Sequence, residues 1–271
     1  MLQHLKDVFR SDSSFWSEHN YDSLSNSSRT SGYFSYLYDI HQHKPTNSIE
    51  QIIEYVNEVV CKHYPVVGSD CQYAEWWVHS RPHSSGHQLH FDSDETRLHK
   101  ESTPQHPLVS VVLFINDDSV GGPTLVTNQT LDGPSADKGW LVNPAENRLV
   151  MFNASLLHGV IPGKGINPNT NKRRLTFMIG FWRDIAATQR GVDRPGPAQY
   201  FPDPARTRFT WPNSMKPCHF PDDTSHTSSE AKVIPQDINN IWEPIDIDER
   251  VGANLLVKGI NVPYSLIWQG F

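Results

Sequence analysis

From Tyr73 to Trp182 apolar and polar positions come in short alternating runs punctuated by Gly, Pro and Asn. AEWWVHS, HQLHFD, HPLVSVVLFIN, GPTLVTN, KGWLVNP, NRLVMFN and RRLTFMIGFW each have the length and the β-branched or aromatic content of a strand. Seven such runs at this spacing predict a mainly β protein with flanking helices, built on a jelly-roll or double-stranded β-helix core. Upstream the period changes. Ile49, Ile52, Ile53, Val56, Val59 and Val60 recur at helical intervals until His63 and Pro65 stop them, and Ser48 with Gln51 reads as a capping box. This helix is expected to pack across one sheet.

Residues 1–46 are polar and serine-rich, yet they carry Phe15, Trp16, Tyr33, Phe34, Tyr36 and Tyr38, which suggests docking onto a neighbour. After Asp184 the chain turns proline-rich and aperiodic, as loops or a lid would, and VGANLLVKGINVPYSLIWQGF regains strand character and is expected to return to the core. The expected organisation is one domain: an N-terminal helical and aromatic extension over 1–69, the jelly-roll core over 70–185, and C-terminal loops with a returning strand over 186–271.

Chemistry concentrates in two of the runs. His90 and Asp92 are two apart, a spacing that puts both side chains on one face of a strand. A third ligand, His158, comes from the end of the run NRLVMFNASLLHGV. Two imidazoles and one hard carboxylate suit Fe(II) and leave three coordination positions open on the opposite face. In a chain with fourteen histidines an H-x-D alone is weak, and the surroundings decide. Arg174 and Thr176 share a strand face among apolar neighbours, and no carboxylate partner is evident nearby in sequence. A buried guanidinium of this kind suits the carboxylate of a bound molecule.

Four motifs then stand in order: HFD at 90–92, GGPT at Gly121 to Thr124, LHGVIPG around His158, and R-L-T at Arg174 to Thr176. In this order they resemble the Fe(II)/2-oxoglutarate-dependent dioxygenases, and among them the prolyl-4-hydroxylase-like branch. The resemblance covers roughly residues 70–185. It implies that His90, Asp92 and His158 hold Fe(II). It implies further that Arg174 and Thr176 grip the far carboxylate of 2-oxoglutarate, and that dioxygen is the second cosubstrate. The implied reaction hydroxylates an unactivated C–H bond of a small molecule or a prolyl-type residue, with release of succinate and carbon dioxide. Desaturation or ring closure at the same site, a cupin-like metal dioxygenase that needs no cosubstrate, and a catalytically silent binding module are the alternatives. Asp92 fills the ligand position that a halogenase would vacate for chloride.

The chain departs from the family pattern at GKGINPNTNK, a longer connection than usual, and at the adjacent pair Arg173 and Arg174. Arg174 is preferred because only it pairs with Thr176 in the R-x-S/T pattern, with Arg173 as the alternative. For substrate contacts, alternation puts Trp77, His79 and Arg81 on one face, and Gln88, two before His90, would share the inward face. His83, His87, His99 and His106 lie near turns and are expected to be solvated.

Composition narrows the partners. A net charge of −7 offers no field for a phosphate backbone, which disfavours nucleic acid. Three cysteines without a C-x-x-C support neither a zinc knuckle nor a disulfide framework. With no signal-like N-terminus and no long apolar run, the protein is expected to be soluble and intracellular, cytoplasmic by default and without a membrane partner.

Overall fold

The computed structural model describes residues 1–21, 34–41, 44–101, 104–116, 120–163, 173–188, 196–219 and 229–238, with 259–262 and 266–269 as backbone only. In chain order the elements are α1 (Leu2–Val8), α2 (Ser14–Glu18), β1 (Tyr36–Asp39), α3 (Ser48–His63), α4 (Pro65–Asp70), β2 (Tyr73–Pro82), β3 (His87–His90) and α5 (Glu95–Glu101). Then follow β4 (Val109–Phe114), β5 (Thr124–Thr127), β6 (Lys138–Val142), β7 (Leu149–Asn153), β8 (His158–Val160), β9 (Arg173–Trp182) and β10 (Gln199–Tyr200). A 3-10 turn at Trp211–Met215, β11 (Gln236–Asp237) and the strands β12 (Gly259–Val262) and β13 (Leu266–Gln269) complete the set.

The strands make two principal sheets, ordered β10-β1-β2-β9-β4-β7 and β11-β6-β5-β8-β3, the jelly-roll arrangement that the strand spacing predicts. β2 and β9 pair antiparallel along their whole length, from Tyr73 opposite Trp182 to Pro82 opposite Arg173. Both of their faces are covered, which explains why these runs are almost continuously apolar. On the outer face Trp76, Val78, Val111, Phe177 and Ile179 form one cluster with α1, α2 and α3. On the inner face Trp77, Val112, Phe114, Phe152 and Met178 meet Val126 and Val142 of the other sheet.

The amphipathic spacing of α3 is used as expected. Ile49, Ile52, Ile53, Val56 and Val60 are buried against the sheet, each worth about 1.5–3 kcal/mol of transfer free energy. Its start lies one residue earlier than the S-x-x-Q reading. Asn47 is the extended N-cap and accepts from the Glu50 amide, while Glu50 accepts from the Thr46 amide, so the box is Asn47 with Glu50. Ser48 instead sits buried on the first turn.

One further expectation changes. The run NRLVMFNASLLHGV is two strands, because the Asn153 side chain accepts from the amide and hydroxyl of Ser155 and closes a turn. The chain thereby leaves the six-stranded sheet after β7 and enters the five-stranded sheet as β8, so His158 opens a strand rather than ending one. The terminal segments pack against the strands of 70–185. Phe15, Trp16, Phe34, Tyr36 and Tyr38 are buried, β1 and β10 join the six-stranded sheet, and Phe209, Trp211 and Met215 lie in the same outer cluster. Tyr33 lies outside the described residues, as does most of the long connection at 163–172. Among the described residues β12 and β13 pair with each other in a two-stranded sheet.

Candidate metal centre

β3 and β8 lie antiparallel with His90 opposite His158, so two residues distant in sequence present rings 4.4 Å apart. In each ring Nδ1 is held by a backbone carbonyl, Gln88 O at 2.7 Å for His90 and Leu156 O at 2.9 Å for His158. A carbonyl only accepts, so both Nδ1 atoms carry the proton and both Nε2 lone pairs are left for a metal. Those Nε2 atoms lie 3.5 and 3.6 Å from Asp92 Oδ1. The three ligand atoms fall within 4.8 Å of one another, the one such group of His, Cys, Asp or Glu among the described residues.

Asp92 arrives differently from the expected strand alternation, since β3 ends at His90 and Asp92 stands in the loop beyond it. That loop is pinned: His106 Nδ1 donates to Asp92 O at 2.6 Å, and Asp94 accepts from the amides of Arg97 and Ala186. The second carboxylate oxygen, Oδ2, accepts from Ser110 Oγ at 2.5 Å, which aims Oδ1 at the histidines. Burial works to raise the Asp92 pKa, but the charge and hydrogen bonds of His158 and His90 outweigh it and hold the carboxyl well below its usual range. The donor set, two oriented imidazole nitrogens and one ionised carboxylate, fits Fe(II).

The ligands open onto a cavity between the sheets. Arg174 stands in its wall, only 2% exposed, with Nη2 donating to Thr124 Oγ1 at 2.9 Å and its guanidinium over the Phe114 ring at 4.9 Å. No carboxylate of the described residues pairs with it. Burial, followed by the charge of Arg81, pushes its pKa down to about 9. Its Nε and the hydroxyl of Thr176 are buried without any hydrogen-bond partner. Two donors beside an uncompensated buried cation, on the wall of a cavity that reaches the metal group, match one carboxylate. Arg173 points the other way, with Nε and Nη2 clamping Ser80 Oγ and Ser80 O, both at 2.8 Å.

Among the expected substrate residues, Trp77 and His79 line the cavity, whereas Gln88 is exposed and Arg81 sits behind the wall. Gln88 is displaced by a β-bulge. The β3–β8 register slips between His87 and His90, so His87, three residues before the ligand, takes the inward place that strict alternation assigns to Gln88. His87 is therefore a cavity residue, not a solvated one. His83 and His106 are half-buried with partners as well, and the side chain of His99 lies outside what is described. Burial first, then neighbouring His90 and Arg81, keeps the pKa values of His79 and His87 well below the usual range, so both rings are neutral.

Two glycines of the motifs make these approaches possible. A Cβ on Gly159 would stand 2.8 Å from His87 O and 3.1 Å from Gln88 O, so this glycine admits the bulge. Gly121, at φ +86°, lies against the Arg174 stem, where a Cβ would come within 2.4 Å of Cδ. Gly121→Ala is expected to push the guanidinium out of place and weaken binding of a dicarboxylate probe such as 2-oxoglutarate about tenfold. Calorimetric titration of the probe at fixed metal checks this, and an unchanged affinity would mean that the stem does not set the guanidinium position.

No family model matches the chain, and no protein with a curated description matches its sequence. Among solved structures it is similar to a prolyl-4-hydroxylase from Pseudomonas putida, at 19% identity and a TM-score of 0.36, over 55% of this chain and 72% of that one. It is also similar to an oxidoreductase of the 2OG-Fe(II) oxygenase family from Burkholderia pseudomallei, at 14% identity and a TM-score of 0.27, over 44% of this chain and 47% of that one. A third is HygX from Streptomyces hygroscopicus with nickel and 2-oxoglutarate bound, at 11% identity and a TM-score of 0.33, over 60% and 82% of the two chains. Identities and scores are low, and what the site can do is decided by its own residues. No helix among the described residues is long and apolar enough to cross a membrane.

Proposed function

We propose that this protein is an Fe(II)- and 2-oxoglutarate-dependent dioxygenase that hydroxylates an unactivated C–H bond of a small molecule or prolyl-type residue. The observation that carries the reading is Arg174. It is a buried guanidinium without a carboxylate among the described residues, flanked by the orphaned hydroxyl of Thr176, in the same cavity as a two-histidine, one-carboxylate group.

His90, Asp92 and His158 would hold the metal from one side and leave its cavity side for ligands. Bound Fe(II), with 2-oxoglutarate as reductant, supplies the activation of dioxygen that hydroxylation needs, with succinate and carbon dioxide as coproducts. Arg174 and Thr176 would orient the cosubstrate by its far carboxylate. Thr124 holds the guanidinium in plane, and Phe114 covers its face. Ser110 keeps Asp92 from rotating, and the apolar wall of Val112, Phe152 and Met178 excludes water from the reacting end.

Oxygen uptake by the Fe(II)-loaded protein is expected only with 2-oxoglutarate, with succinate formed in proportion. Uptake indifferent to 2-oxoglutarate would favour a cosubstrate-independent metal dioxygenase. Absence of Fe(II) binding in calorimetry would favour a silent binding module.

A further inference from the structure

Four imidazoles stand in file across the cavity. The rings of His79 and His87 are 5.2 Å apart, those of His87 and His90 4.6 Å, and those of His90 and His158 4.4 Å. The last two are metal ligands, and His87 stands directly beside one of them without belonging to the ligand group. Arg81 packs behind it. One Nη of Arg81 contacts His87 Nδ1, and the other donates to Gly86 O at 3.3 Å. A guanidinium only donates, so His87 Nδ1 is the acceptor and its proton sits on Nε2. His87 is thus fixed as a donor, the opposite tautomer from its neighbour His90.

The charge of the pocket is unbalanced in the same place. Arg174 in the wall and Arg81 behind it, opposite each other across β9 and β2, bring two guanidiniums, and Asp92 is the one carboxylate that lines the cavity. A divalent metal and a dianionic cosubstrate cancel, which leaves one positive charge at Arg81. Its Nε is buried with no hydrogen-bond partner, and its other nitrogens go to Gly86 O and His87, neither of them a carboxylate. A guanidinium bound to one nitrogen of an imidazole polarises the N–H on the other, just as a carboxylate behind a metal-bound imidazole strengthens its lone pair.

We infer that His87, backed by Arg81, is the substrate-binding donor of this enzyme and that the substrate presents a single anionic oxygen group, a carboxylate, beside the carbon to be oxidised. The inference rests on the iron and 2-oxoglutarate reading and narrows its substrate class from small molecules and prolyl residues in general to small monocarboxylates. His87 touches the substrate, and Arg81 acts through it as a positioning residue. The residues at Arg174 and Thr176 remain with the cosubstrate.

The test is calorimetry on the full-length protein loaded with Mn(II) and 2-oxoglutarate, with no turnover. The probes are amino and hydroxy monocarboxylates of three to ten carbons, L-proline and L-phenylalanine among them, each paired with its neutral amide. At least one acid should bind, and its amide at least tenfold more weakly. H87F and R81M should each weaken the acid about tenfold or more while Mn(II) and 2-oxoglutarate affinities stay within threefold. H87Q, which keeps a donor, and R81K, which keeps the charge, should recover part of the loss. The inference is overturned if acids and amides bind alike, if no acid binds, or if the variants leave acid binding unchanged. It is also overturned if they weaken 2-oxoglutarate as much as the acid, which would assign the pair to the cosubstrate. Failure of the wild-type protein to take up Mn(II) or 2-oxoglutarate would instead count against the underlying reading.

Discussion

Replacing His90 or Asp92 by alanine is expected to abolish Fe(II) binding and, with it, every trace of 2-oxoglutarate-dependent succinate release. His90 supplies one of two oriented Nε2 atoms, and Asp92 supplies the only anionic oxygen of the group. Asp92→Ala would leave two neutral imidazoles, which bind a divalent ion without any compensating charge. The scale is set by Ser110, which holds Asp92 through Oδ2. Loss of such an outer partner costs about 10–100-fold in metal affinity, and loss of a ligand must exceed it. Equilibrium dialysis against Fe(II) with parallel succinate assays therefore orders the variants: Ser110→Ala weakened, His90→Ala and Asp92→Ala silent. Turnover retained by either ligand variant would remove these residues from the metal site.

How this site can be read from a linear chain depends on which physical rule governs each residue. The seven apolar runs were legible because period-two alternation and turn residues are local properties, and the sandwich follows from the number of runs. The break between β7 and β8 was not, because Asn153 acts through a side-chain turn inside an otherwise apolar stretch. The strand character of Tyr36–Asp39 was hidden for a related reason. Its partners, residues 73–76 and 199–200, are remote in sequence, so the pairing that makes it a strand is entirely non-local.

Within the site, His90, Asp92, His158 and Arg174 were marked by residue type and order, and the structure brings all four to one cavity. His87 was missed because alternation assumes an unbroken ladder, and a bulge carries no pattern of its own in one strand. The available signal was Gly159, opposite the bulge, where only a residue without Cβ lets two carbonyls approach. Ser110 and Thr124 were invisible for a different reason: a hydroxyl on an apolar strand is ordinary, and their roles appear only once Asp92 and Arg174 are seen to lie against them. Gln88 was wrongly placed by the same slip that concealed His87.

Arg174→Met is expected to raise the apparent KM for 2-oxoglutarate about 30- to 1,000-fold, and Arg173→Ala to change it by less than about threefold. The difference follows from where the two guanidiniums go. Arg173 lies on the opposite face and spends its hydrogen bonds on Ser80, whereas Arg174 is buried in the cavity with Nε unused. Removing one partner of a buried, charge-assisted pair costs roughly 2–4 kcal/mol, which is the stated range in affinity. A purely structural arginine would predict something else. Arg174 has no counter-charge among the described residues, so an isosteric apolar side chain should leave the ligand-free protein as stable as before, or more so. At the same time the rise in thermal midpoint that saturating 2-oxoglutarate produces in the metal-loaded wild type should disappear, because that rise reports binding to the folded state alone. Arg173→Ala should keep the rise. The reverse result, with Arg173 controlling KM and the stabilisation, would mean that β9 is one residue out of register and that the other face of the strand looks onto the metal.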